Sequence, residues 1–176
     1  MASTVEKRRF AGVVIAVIVL DLVTKSLAEA RLPRWRSVPV LGDFFQLQLV
    51  YNPGAAFGIH VGAYSRWFFL ALTLVALVVL GVMAWHTRPG DRLRFYSLAC
   101  VMAGATGNLI DRVRSARGVV DYLLFTVGPL HWPNFNVADM AVSCGAIALA
   151  LALWREGRPH EAAAPPPGAT APPERS

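Results

Sequence analysis

Four aspartates stand out in a chain this apolar: Asp21, Asp111, Asp121 and Asp139. An ionisable side chain at the centre of a lipid-embedded helix costs roughly 2.5–3.5 kcal/mol, so such residues usually have work to do. Asp139 closes the run Asn136-Val137-Ala138-Asp139 at the head of an apolar segment. There Asn136 can cap a helix and Asp139 can complete a capping-box-like turn. Asp121 follows Gly118-Val119-Val120 in what reads as a loop, where an acid is ordinarily just solvated. Taken together the two mean more. They fall on elements joined by one short connection, at the same face of a membrane. Two carboxylates sharing a site cannot both ionise easily, so one keeps a proton. The ionised partner can then activate water while the protonated one polarises a carbonyl, and the pair titrates as a unit.

The other polar residues admit two uses each. Asp21 and Lys25 are spaced for an ion pair on one helix, with the acid first. That pair predicts mutual neutralisation with Lys25 snorkelling outward, or else a part in handling substrate. Asn108, Asp111 and Arg112 share one helix face. They either satisfy a buried charge or present donors to the backbone carbonyls of an extended ligand. The stretch Asn52-Pro53-Gly54-Ala55-Ala56-Phe57-Gly58 permits tight turns and close approach of backbone to a ligand, or simply leads into the next helix. Cys100 and Cys144 lie in apolar runs and read as small hydrophobes, with neither a disulfide nor a metal site implied.

The elements that must position these groups follow from composition. Hydrophobic residues make up 55% of the chain and charged residues 16%, against about 25% charged in a soluble domain. Crossing a bilayer takes about 20 mostly apolar residues, and four segments come close: about 10–30, 67–85, 95–112 and 137–154. Trp67 and Trp85 bracket the second as interfacial aromatics do. The first, with Lys7, Arg8 and Arg9 before it and Ala28-Glu29-Ala30 after, imitates a cleavable leader. Asp21 and Lys25 would make a poor cleavage region, so it reads as an uncleaved helix. Two crossings separate segment 31–66 from segment 113–136, which puts both on one face. In the former, Phe45, Leu47, Leu49 and Tyr51 alternate with Gln46, Gln48 and Val50, the period of a half-buried strand. Ala103 with Gly107, and Ala141 with Gly145, are spaced for close helix approach. The net charge of +6 is dispersed among short polar segments, which suits headgroup anchoring and not nucleic acid. On the side of the termini lie nine basic residues, Lys7, Arg8, Arg9, Arg88, Arg92, Arg94, Arg155, Arg158 and Arg175, against seven on the other, faintly favouring the former as cytoplasmic. Residues 156–176, rich in Pro and Ala, are predicted to be disordered.

From about Phe10 to Trp154 the sequence resembles lipoprotein signal peptidase, or signal peptidase II. Five blocks, in order, carry the resemblance. They are Asp21-Leu22-Val23-Thr24-Lys25, Asn52-Pro53-Gly54-Ala55-Ala56-Phe57-Gly58, Gly107-Asn108-Leu109-Ile110-Asp111-Arg112, Val119-Val120-Asp121 and Asn136-Val137-Ala138-Asp139. It implies a membrane all-α four-helix bundle with a small periplasmic β-sheet lying on the membrane surface. Residues 1–155 would form a single peptidase domain in the bacterial inner membrane, with both termini cytoplasmic and the active site near the periplasmic face. It further implies an aspartic endopeptidase that cuts prolipoproteins before a diacylglyceryl-modified cysteine, without metal or cofactor and open to inhibition by globomycin. On the family pattern Asp121 and Asp139 are the catalytic pair. Asn52, Gly54, Asn108, Arg112 and Asn136 surround the substrate, and Asp21, Lys25 and Asp111 support the site. The stretch from Arg112 to Asp121 is a residue longer than the family leads one to expect. The competing reading is a small proton-coupled four-helix exporter using Asp21. Lys25 one turn away would neutralise that acid, and the other three acids lie at helix ends and not at the midplane.

Overall fold

In lipid the backbone must satisfy its own hydrogen bonds, which leaves a long apolar run little choice but a helix. The computed structural model describes residues 4–54 and 62–156, and all four predicted segments are helical in it. They are α1 (Thr4–Arg31), α2 (Ser65–Trp85, after a short 3-10 turn at Gly62–Tyr64), α3 (Arg92–Arg114) and α4 (Val137–Glu156). The helices outrun the apolar segments because their polar ends are good helix formers. Glu6 in the first turn of α1 and Arg31 in its last both suit the helix dipole. Helix α1 passes unbroken through Ala28-Glu29-Ala30, and Ala28 is buried.

Three of these helices, α1, α2 and α4, are long and apolar enough to cross a membrane. Helix α3, the third of the four expected segments, is less apolar and falls short of that standard. The reason is its position. It packs against α1, α2 and α4, so its surroundings are protein, and Leu98, Ala99 and Ala103 along it are wholly buried. Such a helix can carry Ser97 and Thr106, whose hydroxyls donate to the Leu93 and Met102 carbonyls of α3 itself, and Asn108 and Asp111, whose partners come from neighbouring elements. Helix α2 is the opposite case: Leu72, Val75, Val78, Val79 and Val82 are all exposed, an outward face fit for acyl chains.

Small residues set the closest helix approach, between α3 and α4. A Cβ on Gly104 would collide with the Ala138 carbonyl, and one on Gly145 would stand 2.9 Å from the Ser97 carbonyl. Gly145 was expected at such a contact, whereas Gly104 was not.

Four antiparallel strands make one sheet in the order β1 (Val38–Leu41), β2 (Phe45–Asn52), β3 (Val119–Val127), β4 (Leu130–His131). The alternation in segment 45–51 is realised as β2. Asp121, expected in a loop, lies in β3 instead, opposite Val50, with Tyr51 opposite Val120 and Asn52 opposite Val119. The run Val-Val-Asp-Tyr-Leu-Leu-Phe-Thr-Val is strand-forming by composition, but burial on both faces removes the alternation that would announce it. Leu49, Val120 and Tyr122 pack with Ala28 of α1, seating the sheet on that helix. The part of the 52–58 motif beyond Gly54, and the tail beyond Glu156, lie outside the described residues.

Candidate active site

The sheet and α4 deliver one aspartate each, and Asn136 joins them. Asn136, fully buried, precedes α4. Its side-chain amide donates to Asp121 Oδ1 at 2.7 Å, and its backbone N–H donates to Asp139 Oδ2 at 3.1 Å. In return the Asp139 N–H donates to Asn136 Oδ1 at 2.9 Å. The last two bonds are a complete capping box. The capping and site readings of this segment are therefore the same geometry: the box that starts α4 also aims Asp139 at Asp121.

Each carboxylate has a second amide. Asn52 Nδ2 donates to Asp121 Oδ2 at 3.2 Å, and Asn108 Nδ2 donates to Asp139 Oδ1 at 2.7 Å. Asn52 is itself fixed by the Gly54 N–H, which donates to its Oδ1 at 3.0 Å. Gly54, at φ +115, takes a conformation that suits glycine, and it packs on Ser65 and Phe69. Asp121 is buried and Asp139 half-buried. Burial, together with the neighbouring Asp139 charge, pushes the Asp121 carboxyl from its ordinary 3.8 up to about 7, while the Asn52 and Asn136 amides pull the other way.

Behind this pair is a buried ionic cluster. Lys25 is only 2% exposed, so it does not snorkel as expected but turns inward. Its Nζ lies 2.7 Å from Asp21 Oδ2 and 2.8 Å from Asp111 Oδ2, and donates to Asn108 Oδ1 at 3.0 Å. Two acids and an amide oxygen within the bundle hold a cation better than a lipid interface could. Asp21 Oδ1 accepts the Ala138 N–H at 2.9 Å, and Asp111 Oδ2 accepts the Val120 N–H at 3.3 Å. Asp21 and Asp111 thus tie α1 and α3 to the very segments that carry the site. Gly107 makes room for this, since a Cβ there would sit 2.6 Å from Asp21 Oδ2. Its spacing marks it for helix approach, and no sequence signal gives its relation to a carboxylate on another helix.

Asn108 spends its side chain wholly inside the cluster. Its oxygen takes Lys25 and the Asn136 amide, at 3.0 and 3.2 Å, and its nitrogen serves Asp139. Arg112 Nη1 donates to the Asn108 carbonyl at 3.3 Å, with the guanidinium over the Phe69 ring at 5.8 Å. Its buried Nε has no protein partner among the described residues. Arg66, unremarked in the sequence, donates from Nε to the Arg112 carbonyl at 2.7 Å and caps the end of α3. Among the described residues no three His, Cys, Asp or Glu side chains gather as metal ligands would.

A family model described as signal peptidase (SPase) II matches residues 13–155. The chain belongs to the signal peptidase II family. Relatives named lipoprotein signal peptidase agree. That of Desulforapulum autotrophicum is 43% identical over 74% of this chain and 82% of its own. That of Geobacter metallireducens is 40% identical over 86% and 93%. The fold is similar to that of a bacterial membrane enzyme solved by the in meso method at 2.3 Å resolution. Its TM-score is 0.76 at 28% identity, over 84% of this chain and 88% of that one. As a member of the signal peptidase II family, the chain is a peptidase of a bacterial membrane. Asp21, the acid an exporter would need to load and unload, is here locked between Lys25 and the Ala138 N–H.

Proposed function

We propose that this chain removes signal peptides from prolipoproteins as an aspartic endopeptidase of the bacterial inner membrane, cutting just before the diacylglyceryl-modified cysteine. The observation that carries the reading is the joining of Asp121 and Asp139 through Asn136. Below about pH 7 Asp121 keeps its proton, and Asp139 acts as the base. A water between the two loses a proton to Asp139 as its oxygen attacks the scissile carbonyl carbon, while Asp121 gives its proton to the carbonyl oxygen. Collapse of the tetrahedral diol returns a proton to Asp121, and Asp139 delivers the other to the departing amide nitrogen.

Positioning falls to the surrounding donors. The Arg112 Nε, without a protein partner among the described residues, suits a backbone carbonyl of an extended substrate, and Asn52, which holds Asp121, is the second candidate. Asn108 and Asn136 serve better as holders of the two carboxylates. Residues up to about Glu156 act as one membrane-embedded domain, with both termini cytoplasmic and the sheet on the periplasmic surface. Acyl chains docked in the bilayer then set the depth of the bond to be cut. Globomycin is expected to bind at the aspartate pair.

The test is cleavage of a diacylglyceryl-modified prolipoprotein in reconstituted vesicles by wild type, Asp121→Asn and Asp139→Asn. Each variant should lose about 10³-fold or more in turnover while unfolding at a temperature near that of wild type. Near-normal turnover by either folded variant would overturn the two-aspartate mechanism.

A further inference from the structure

At the end of the molecule remote from the aspartates, α1 and the turn between α2 and α3 enclose a polar pocket of about 60 Å³. Arg9 of α1, Arg88 of the turn and Arg92 of α3 line it. All three are exposed, and among the described residues none forms an ion pair. Elsewhere such cations find carboxylates: Arg94 takes Glu156 at 3.0 Å and Arg117 takes Glu29 at 3.4 Å. The two acids in the pocket wall each accept a backbone N–H. Glu6 Oε1 accepts the Gly90 N–H at 3.3 Å, and Asp91 Oδ1 accepts the Arg94 N–H at 3.1 Å to cap α3. Three arginines from three elements therefore line one space, and among the described residues none of them is ion-paired.

The residues around this pocket point to what fills it. Trp85 ends α2 beside it, with Lys7 Nζ 5.9 Å from the centre of its ring, an aromatic and a cation at headgroup level. Phe95 forms the inner wall and meets Phe10 edge-on at 4.9 Å. Val5, Val82 and Leu93 are exposed nearby, giving acyl chains an apolar flank to follow. A phosphate matches the planar fork of arginine with paired, charge-assisted hydrogen bonds. Basic pockets between membrane helices are where anionic headgroups bind.

We propose that this pocket is a binding site for the phosphate of an anionic phospholipid, which clamps α1 to the α2–α3 turn. Arg9 and Asp21 lie twelve residues apart on one helix, a rise of about 18 Å. The bound lipid thus steadies from one end the helix that holds Asp21 and Lys25 at the other.

The experiment uses the full chain in phosphatidylcholine nanodiscs with and without phosphatidylglycerol, reading thermal unfolding and, by native mass spectrometry, retained lipid. Phosphatidylglycerol should raise the wild-type midpoint by about 3 °C or more and leave one lipid bound. The combined variant Arg9→Gln, Arg88→Gln, Arg92→Gln should lose both responses. A control with Arg31→Gln, Arg34→Gln and Arg36→Gln, at the opposite end, should keep them. Equal responses from the two triple variants would reduce the effect to general charge attraction and overturn the site. Inorganic phosphate in plain phosphatidylcholine should give no shift, and a shift matching that of the lipid would overturn the assignment to a membrane lipid.

Discussion

Asn136 is the residue through which the carboxylates of the site meet, and the chemistry it organises has a pH signature. Burial first, and the Asp139 charge second, hold the Asp121 proton on until about pH 7. Turnover that needs this proton should fall as pH rises past that point. The Asn52 amide, donating to Asp121, favours the charged form. In Asn52→Ala the alkaline limb of the kcat profile should therefore move to higher pH, whatever happens to the plateau. A limb that stays put would remove Asp121 as the titrating group. The same sign governs stability. The folded-state value lies above the unfolded one, so the contribution is complete below pH 3.8 and is lost as pH rises towards 7. At this scale the sequence was informative about residue types and poor about partners. Asp121 and Asp139 could be paired from topology, and the Asn136 box from spacing. The inward turn of Lys25 could not, because its second acid arrives from another helix.

Among the elements, α2 and α3 show why hydropathy reads some helices and not others. Lipid selects an apolar exterior, so α2 is plain in the sequence, while protein surrounds α3 and frees it to carry polar side chains. Strand β3 was missed for a related reason. It is buried on both faces along its first half, and an aspartate in its third position disguises the run. The seam between α3 and α4 offers the sharpest test. Gly104→Ala must push the Ala138 carbonyl away and, with it, the first turn of α4. The expected cost is about 1–3 kcal/mol, read as a lower unfolding temperature in detergent together with reduced turnover. Gly81→Ala on α2, where a Cβ meets nothing within 4 Å, should lower neither.

Across the whole molecule, the Lys25 cluster is the fastening that joins α1, α3, the sheet and α4. Removing its cation leaves Asp21 and Asp111 buried without a counter-charge. Lys25→Met should therefore lose about 3–5 kcal/mol of stability, and adding Asp111→Asn should recover part of it. Unfolding curves for both variants in one detergent would check this, and equal losses would mean the cluster does not act through charge. The capping box that opens α4 has a last consequence, one of timing. Asp139 is aimed at Asp121 only when the first turn of α4 is wound and Asn136 has reached β3. During synthesis α4 is the last of the described elements to be made. On the proposed two-aspartate mechanism, a chain still being inserted holds Asp121 without its partner and cannot cut its neighbours in the bilayer. An unfinished molecule is a harmless one.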